Sequence, residues 1–559
     1  EKDSIRGEKR RFSLAAHRRI RKHRMHGFVP SAGNSALLAP DSLLEPPSPP
    51  AKARRRWEFA VVCVVLVVYA LSYSPQWWIG PDSALYLNLA RNLVRGNGYT
   101  LAGESHVLVP PGFPAFLAGM TRLGLGSFAA MNLAIGLMGL ATLYVSYRLL
   151  SHLVGWTWLW VVTATFALSR EMIERSGEIL SDVPFMLLVV TALWLYYRGL
   201  RPDRPDRRGW ELASVLLIVA CWVRAVAFPL DAGVMVGLLL SGWKKARART
   251  VVNVLLLAVG VGASAAFFVW YIAAHGSPGA PSYLASISHV DGRPGGVHWL
   301  LLFADRFYVA GGQISRCFIT QRLPLPLAML IVAMPMAVAM IRRMGRGDWL
   351  GPMVTLGYVG GLCVAASIVR TRYFLPLAPL LILYLLEGWA WLARATVRVK
   401  PAATVTMLVL AAVMVAINLP VAGRDIVSKH RADYFTRQQK GKYAVDVKVA
   451  TFLRAHRPGA GWNILAGQPV AYLADVDSPT FLRPVTDDTP SIAQMAESLR
   501  RWHVAYVVTH VGEKGTAMER ALATYLSGFA PPVFAAADQR VYAVPLEVIE
   551  APPRPASRP

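Results

Sequence analysis

Residues Gly80 to Arg122 read GPDSALYLNLARNLVRGNGYTLAGESHVLVPPGFPAFLAGMTR, with one acid, Asp82, near the start. The stretch is too polar to cross a bilayer, yet apolar segments flank it on both sides. A lone carboxylate at a membrane surface, beside an amphipathic helix and a Pro-Pro turn, points to a reaction site whose substrate arrives from the lipid. A competing reading is local. Asp82 follows Pro81 and precedes apolar residues at Leu85, Leu89 and Leu93 and at Tyr86, Ala90 and Val94, a stripe of period 3.6. An Asp opening such a helix is a natural N-cap worth about 1 kcal/mol and needs no catalytic role.

The elements that must hold Asp82 follow from the same stretch. Arg95-Gly96-Asn97-Gly98 is a helix stop and turn signal. Next come Tyr99 to His106, then Val109-Pro110-Pro111-Gly112-Phe113-Pro114, and a second apolar stripe to Met120. Two amphipathic helices joined by a turn are expected to lie flat on the membrane as an interfacial platform.

Composition sets the class. The chain has 559 residues, of which 54% are apolar and 16% charged, and its mean hydropathy is +0.39. These values describe an integral membrane protein. The net charge of +26 invites a nucleic-acid reading, but its placement argues otherwise. Residues 1 to 56 hold 14 Lys/Arg against 5 Asp/Glu, and Arg198 to Arg208, Lys244 to Arg249, Arg342 to Arg346 and Arg394 to Lys400 each adjoin an apolar run. Such clusters mark cytoplasmic loops, and no basic segment is interleaved with stacking aromatics. Cys63, Cys221, Cys317 and Cys363 show no CxxC spacing, so neither a disulfide framework nor a zinc site is indicated.

In chain order, residues 1–56 read as a basic, disordered cytoplasmic tail and 57–423 as a transmembrane domain. Spans are expected near 57–73, 128–148, 154–169, 182–198, 210–223, 226–242, 250–273, 324–341, 350–369, 373–393 and 402–420, about eleven by this count. The Arg54-Arg55-Arg56 cluster fixes the N-terminus in the cytoplasm. The loop at 74–127 then lies outside with Glu174 and Asp291, and every basic cluster lies inside. Arg224 falls at an outer turn between two short spans. The loop from His275 to Arg322, with His289, Asp291, Arg293 and His298, lacks metal-site spacing and is expected to be solvated or to cover the donor.

From 424 to 549 the rhythm changes. Helical patterns at Ala444 to Ala455 and Ile492 to Trp502 alternate with strand-like runs at Trp462 to Ala466, Val504 to Thr509, Val533 to Ala537 and Arg540 to Val544. A small extracytoplasmic α/β domain is expected, followed by a tail at 550–559. From Arg424 onward, 17 Lys/Arg stand against 13 Asp/Glu, a near balance consistent with an outer location. No internal repeat is evident.

Four features together are similar to the type C glycosyltransferases, in the branch with protein O-mannosyltransferases and the lipid A aminoarabinose transferase. Asp82 and its surface helix are followed by the Gly96-Asn97-Gly98-Tyr99 turn and PPGFP before the second span. Ser176 to Pro184 (SGEILSDVP) precedes a span, Trp222-Val223-Arg224 sits at an outer turn, and Arg372-Tyr373-Phe374-Leu375-Pro376 opens a late span. The resemblance covers about residues 57 to 420. It implies transfer of a sugar from a polyprenyl-phosphate donor to a lipid, glycan or protein acceptor on the outer face of the cytoplasmic membrane. It implies no cofactor, and metal dependence is not indicated.

On that resemblance Asp82 is the general base for the acceptor hydroxyl. The leaving phosphate oxygen departs as an anion and needs positive charge, for which Arg224, Arg372 and Arg370 are the candidates. Tyr86, Pro110 and Pro111 belong to the loop that meets substrate. Two departures stand out. The family often has Asp-Glu where this chain has Asp82-Ser83, and often has Lys or His directly before Pro-Pro where this chain has Val109. His106 or Arg91 is the replacement cation on offer. Asp182 and Glu178 are candidates for a second carboxylate, although Asp182 beside Pro184 also fits a helix cap. Arg370 and Arg372 read equally as interfacial anchors reaching lipid phosphates. With one evident base, inversion is favoured over retention. The alternatives are a transporter or lipid flippase, which would carry ionisable or broken helices at mid-membrane, and a non-catalytic scaffold.

Overall fold

A computed structural model describes residues 50–200, 207–275, 296–318, 324–365, 370–397, 400–430, 444–456, 463–476, 478, 492–510, 517–545 and 548. The chain is a multi-pass, predominantly helical membrane protein. Among the described residues, five helices are long and apolar enough to cross a membrane: Phe128–Leu150, Ala246–His275, Pro326–Gly345, Thr371–Thr396 and Thr404–Arg424. Shorter apolar helices at Gly209–Val223, Ala227–Trp243 and Leu350–Val364 pack among them. Residues 1–49 of the tail expected at 1–56, the tail at 550–559, and His289, Asp291 and Arg293 lie outside the described residues, whereas 51–56, expected to be disordered, are helical and open the first helix.

Helix α1 (Ala51–Ser72) leads into the first loop. There α2 (Pro81–Arg95) ends at Gly96 in the left-handed conformation (φ 83°), which glycine adopts without steric cost. A two-stranded hairpin follows, β1 (Thr100–Leu101) and β2 (Glu104–Ser105), with Leu101 opposite Glu104. Its turn residues Ala102 and Gly103 both have positive φ, which suits the right-handed strand twist. Helix α3 (Gly112–Arg122) closes the loop.

Helix α2 is covered by protein on more than the one apolar face that the amphipathic pattern suggests. Ser83, Ala84, Leu85, Leu87, Asn88, Leu89, Ala90 and Asn92 of α2 are all buried. Those positions run around most of the helix, because the C-terminal residues cover the polar face that would otherwise meet water.

The bundle continues with α4 (Phe128–Leu150), α5 (Trp156–Ala167), α6 (Arg170–Arg175), α7 (Asp182–Gly199), α8 (Arg207–Val223) and α9 (Ala227–His275). Helix α9 is two helices joined at Ala246, whose φ and ψ (−154°, 58°) are non-helical. At the far end of α7 from Asp182, Tyr197 donates to Asp348 at 2.8 Å. Arg343 there binds Asp348 at 2.9 Å and Glu387 at 2.6 Å. This largely buried network, which also takes in the Leu153 carbonyl and the Gly351 amide, anchors that end of the bundle.

Where a loop was expected between His275 and Arg322, residues 296–318 form α10 (Gly296–Phe318). His298 lies in this helix. Asp305, Arg306 and Arg316 break its apolar run, so a hydropathy window passes over it, but Arg306 caps the end of a neighbouring helix by donating to the carbonyls of Cys363 and Val364 at 3.2 and 3.0 Å. Then come α11 (Leu325–Ala328), a π-turn at Met329–Ala333, α12 (Met334–Gly345) and α13 (Leu350–Ala365). A 3₁₀ segment, Thr371–Leu377, precedes α14 (Ala378–Val397) and α15 (Lys400–His430). Pro376 lies near the end of that segment, just before α14, where a residue without an N–H interrupts regular α-helical bonding.

The C-terminal residues form α16 (Ala444–Ala455), β3 (Asn463–Leu465), α17 (Gln468–Ala474), α18 (Ile492–Arg501), β4 (Val504–His510), α19 (Ala517–Ser527), β5 (Phe534–Ala536) and β6 (Gln539–Ala543). The sheet order is β3-β4-β6-β5, with β3 parallel to β4 and the other pairs antiparallel.

Candidate active site

Pro81 occupies the first helical position of α2, so Gly80 is the cap residue and Asp82 lies inside the first turn without capping it. Its carboxylate is left free to reach outward, and it forms an ion pair with Arg372 of the 3₁₀ segment. The local alternative for Asp82 as a helix cap therefore does not describe this chain. Asp182 repeats the pattern. Ser181 holds the cap position of α7, and Asp182, in the first turn, pairs with Arg224. Both acids still gain from the positive end of their helices.

The two pairs form one array. Arg372 feels the charge of both Asp182 and Asp82, and Arg224 is drawn to Asp182 while Arg372 opposes it. The ring of Tyr373 lies near both guanidiniums, 5.5 Å from that of Arg224 and 5.6 Å from that of Arg372, within range of cation–π attraction. Tyr373 is held in turn by its carbonyl, which accepts from the Tyr358 hydroxyl at 2.6 Å. Thr371 donates to Gln313 of α10 at 2.8 Å, fixing the start of the segment.

Burial separates the two acids. The Asp82 side chain is 44% exposed, whereas that of Asp182 is 2% exposed. Asp82 is thus the carboxylate an incoming group can reach. Asp182 is committed to holding Arg224. Tyr86 stands beside them, its hydroxyl 3.0 Å from Ser181 Oγ and its ring edge-on to Phe113 at 5.0 Å. Burial pushes the Tyr86 hydroxyl up to about 12, against the pull of Arg224 and with the repulsion of Asp82 adding to the rise. It remains a proton donor at neutral pH.

Gly112, after Pro110 and Pro111, brings α3 against the Trp222-Val223-Arg224 turn. A Cβ there would lie 2.5 Å from the Trp222 carbonyl oxygen. Pro110 is buried, and Pro111 provides the residue before α3. The two prolines thus serve the approach of the loop to the Arg224 turn.

Four expected residues fall elsewhere. Glu178 is buried and bound to Arg175 at 2.5 Å, and Arg175 also meets Glu171. His106 lies inside the first loop, where its Nε2 accepts from the Val109 amide at 3.2 Å, and burial pushes its imidazole down to about 3. It is neutral and cannot act as the missing cation. Arg91 binds Asp475 at 3.0 Å and the Val476 carbonyl at 3.3 Å, away from the array. Arg370 is exposed at the cap position of the 3₁₀ segment. Among the described residues, no group of three or more His, Cys, Asp or Glu side chains is placed to hold a metal ion.

Tyr373, Gln313 and Arg175 were not singled out by the sequence. Tyr373 lies inside the Arg372 to Pro376 motif and was within reach, whereas Gln313 sits in a helix that hydropathy hid.

Comparison with protein-family models gives no match, and neither does comparison with curated proteins. Solved structures do match. ArnT from Cupriavidus metallidurans in the apo state aligns over 88% of this chain and 98% of its own at 15% identity, with a TM-score of 0.54. The same protein bound to undecaprenyl phosphate aligns over 87% and 98% at 16% identity, with a TM-score of 0.52. The archaeal oligosaccharyltransferase AglB from Archaeoglobus fulgidus, in complex with an inhibitory peptide and a dolichol-phosphate, aligns over 82% and 69% at 11% identity, with a TM-score of 0.49. The chain has the type C glycosyltransferase fold.

Proposed function

We propose that this protein is a membrane glycosyltransferase that moves a sugar from a polyprenyl-phosphate donor to an acceptor hydroxyl. The carrying observation is the array of Asp82, Arg372, Asp182 and Arg224, which joins a reachable carboxylate to two fixed guanidiniums. The fold likeness to ArnT, one of whose structures holds undecaprenyl phosphate, supports the donor class. A lipid-linked donor stays in the bilayer, so its head group must be met at the interface.

The step balances with these residues. The acceptor O–H gives its proton to Asp82, its oxygen bonds to the anomeric carbon, and the bond from that carbon to the phosphate oxygen breaks. Polyprenyl phosphate leaves as an anion, and Arg372 and Arg224 carry its charge. Asp182 is buried on Arg224, leaving Asp82 as the one carboxylate of the array that an acceptor can reach, which favours inversion. On this reading about eleven helices span the cytoplasmic membrane, with the N-terminus inside and the first loop and a C-terminal α/β domain outside.

The test is to supply the purified protein with a panel of polyprenyl-phosphate sugars and measure release of polyprenyl phosphate by the wild type and by Asp82→Asn. Release by the wild type and its loss in the variant are expected. Equal release would remove Asp82 as the base, and no release from any donor would favour a transporter.

A further inference from the structure

The helix that carries Asp82 in its first turn is gripped along its length by a short piece of the C-terminal residues. Arg91 and Arg95, one turn apart on α2, both bind Oδ1 of Asp475, at 3.0 and 2.8 Å. Arg91 also donates to the Val476 carbonyl. One turn earlier, Asn88 donates to Gln468 Oε1 at 2.7 Å. Asp475 ends α17 in the left-handed conformation (φ 57°, ψ 38°), which among residues with a Cβ is best tolerated by Asn and Asp. That backbone turn ends the helix at the point where one carboxylate meets both arginines.

A second contact reaches the start of α2. The Tyr472 ring meets Trp77 edge-on at 5.0 Å, and Trp77 Nε1 donates to Ser83 Oγ at 3.0 Å. Ser83 is buried and follows Asp82 directly. The hairpin of the same loop is held as well, by Arg501 on Glu104 at 2.7 Å. The bundle alone does not supply these restraints: α2 is fixed between the Arg372 segment on one side and residues 468–476 on the other.

We infer that Asp475, with Tyr472, is a positioning residue for Asp82: the C-terminal segment sets where the base stands relative to Arg372. The inference rests on Asp82 acting as the base. Misplacing a catalytic group by about 1 Å can cost about 100-fold in rate, so a clamp remote from the reacting atoms is expected to act on kcat.

The experiment uses the full chain in lipid nanodiscs with whichever polyprenyl-phosphate sugar supports release. Asp475→Asn keeps the left-handed backbone and removes the charge. It is expected to lower kcat about tenfold or more while leaving the donor KM within about twofold. Asp475→Glu should recover part of the loss. Combined with Asp82→Asn, it should add nothing further, since the group it positions is gone. Faster amide exchange in residues 81–95 of the variant would show the clamp released. Arg95→Gln, which removes one of the two bonds, is the milder variant if Asp475→Asn folds poorly. An unchanged kcat in Asp475→Asn and Arg95→Gln, or a full further loss on top of Asp82→Asn, would overturn the inference. A fully active Asp82→Asn would instead overturn the base, a separate outcome.

Discussion

Asp82 and Arg372 stand 290 positions apart in sequence and form an ion pair at the rim of the site. The pair is half open to solvent on the acid side, so it contributes little to stability, about 0–1 kcal/mol for exposed pairs. On the proposed function, its value lies in holding the base beside a cation for the donor phosphate. Asp82→Asn should therefore lower kcat by about 10²- to 10⁴-fold with the thermal midpoint nearly unchanged. Arg372→Gln should raise the donor KM as well, because it removes charge from the leaving phosphate. Steady-state kinetics and a melting curve on the same preparations separate the two effects.

The Asp182–Arg224 pair behaves in the opposite way. Both side chains are largely buried, at 2% and 14% exposure, so removing one partner leaves a charge without compensation. Asp182→Ala or Arg224→Ala should cost about 3–5 kcal/mol, seen as a marked drop in the thermal midpoint. The double substitution Asp182→Asn with Arg224→Gln should cost less than the sum of the single charge-to-neutral changes, because it leaves no lone charge. A larger loss for Asp82→Asn than for Asp182→Ala in stability would contradict this division of roles.

Much of this arrangement was legible in the sequence because its parts are punctuated. Pro81, Gly96 and Pro110-Pro111 bound the elements of the first loop, and the Arg372 to Pro376 motif marks the segment that meets it. Strands β4 and β6 were visible in their β-branched and aromatic runs. What sequence could not supply was pairing across long separations. An aspartate in the first turn of a helix reads as a cap, and only the three-dimensional approach of Arg372 and Arg224 shows which cation each acid meets. Helix α10 was missed because Asp305, Arg306 and Arg316 dilute its hydropathy, and with it went Gln313. Arg91 was offered as a replacement cation, since nothing local signals that its partner Asp475 lies 384 positions further on.

The Pro-Pro-Gly sequence makes a packing prediction. Gly112 abuts the backbone at Trp222, where an added Cβ would stand 2.5 Å from a carbonyl oxygen. Backbone cannot yield as a side chain can, so Gly112→Ala should push α3 away from the Arg224 turn. The cost expected for such overpacking is about 1–3 kcal/mol. A loss of activity larger than that stability change explains would tie the approach of α3 to the placement of Arg224. Gly119, on the same helix with open space around its Cβ position, is the control, and Gly119→Ala should leave activity and stability nearly unchanged.

His106 gives the first loop an acid limit. Its folded-state pKa is pushed down by burial to about 3, against about 6.5 in an unfolded chain. The neutral form is therefore favoured by folding. Above about pH 6.5 both states are neutral and the group contributes no pH dependence. As pH falls from about 6.5 towards 3 the unfolded chain takes up a proton that the folded chain refuses, and stability declines. His106→Gln offers an amide oxygen to the Val109 N–H and removes the titration. The gap in thermal midpoint between wild type and variant should be constant from about pH 7 upward and should shift in favour of the variant between about pH 6 and 4. A gap independent of pH across that window would mean that the imidazole is protonated in the folded loop.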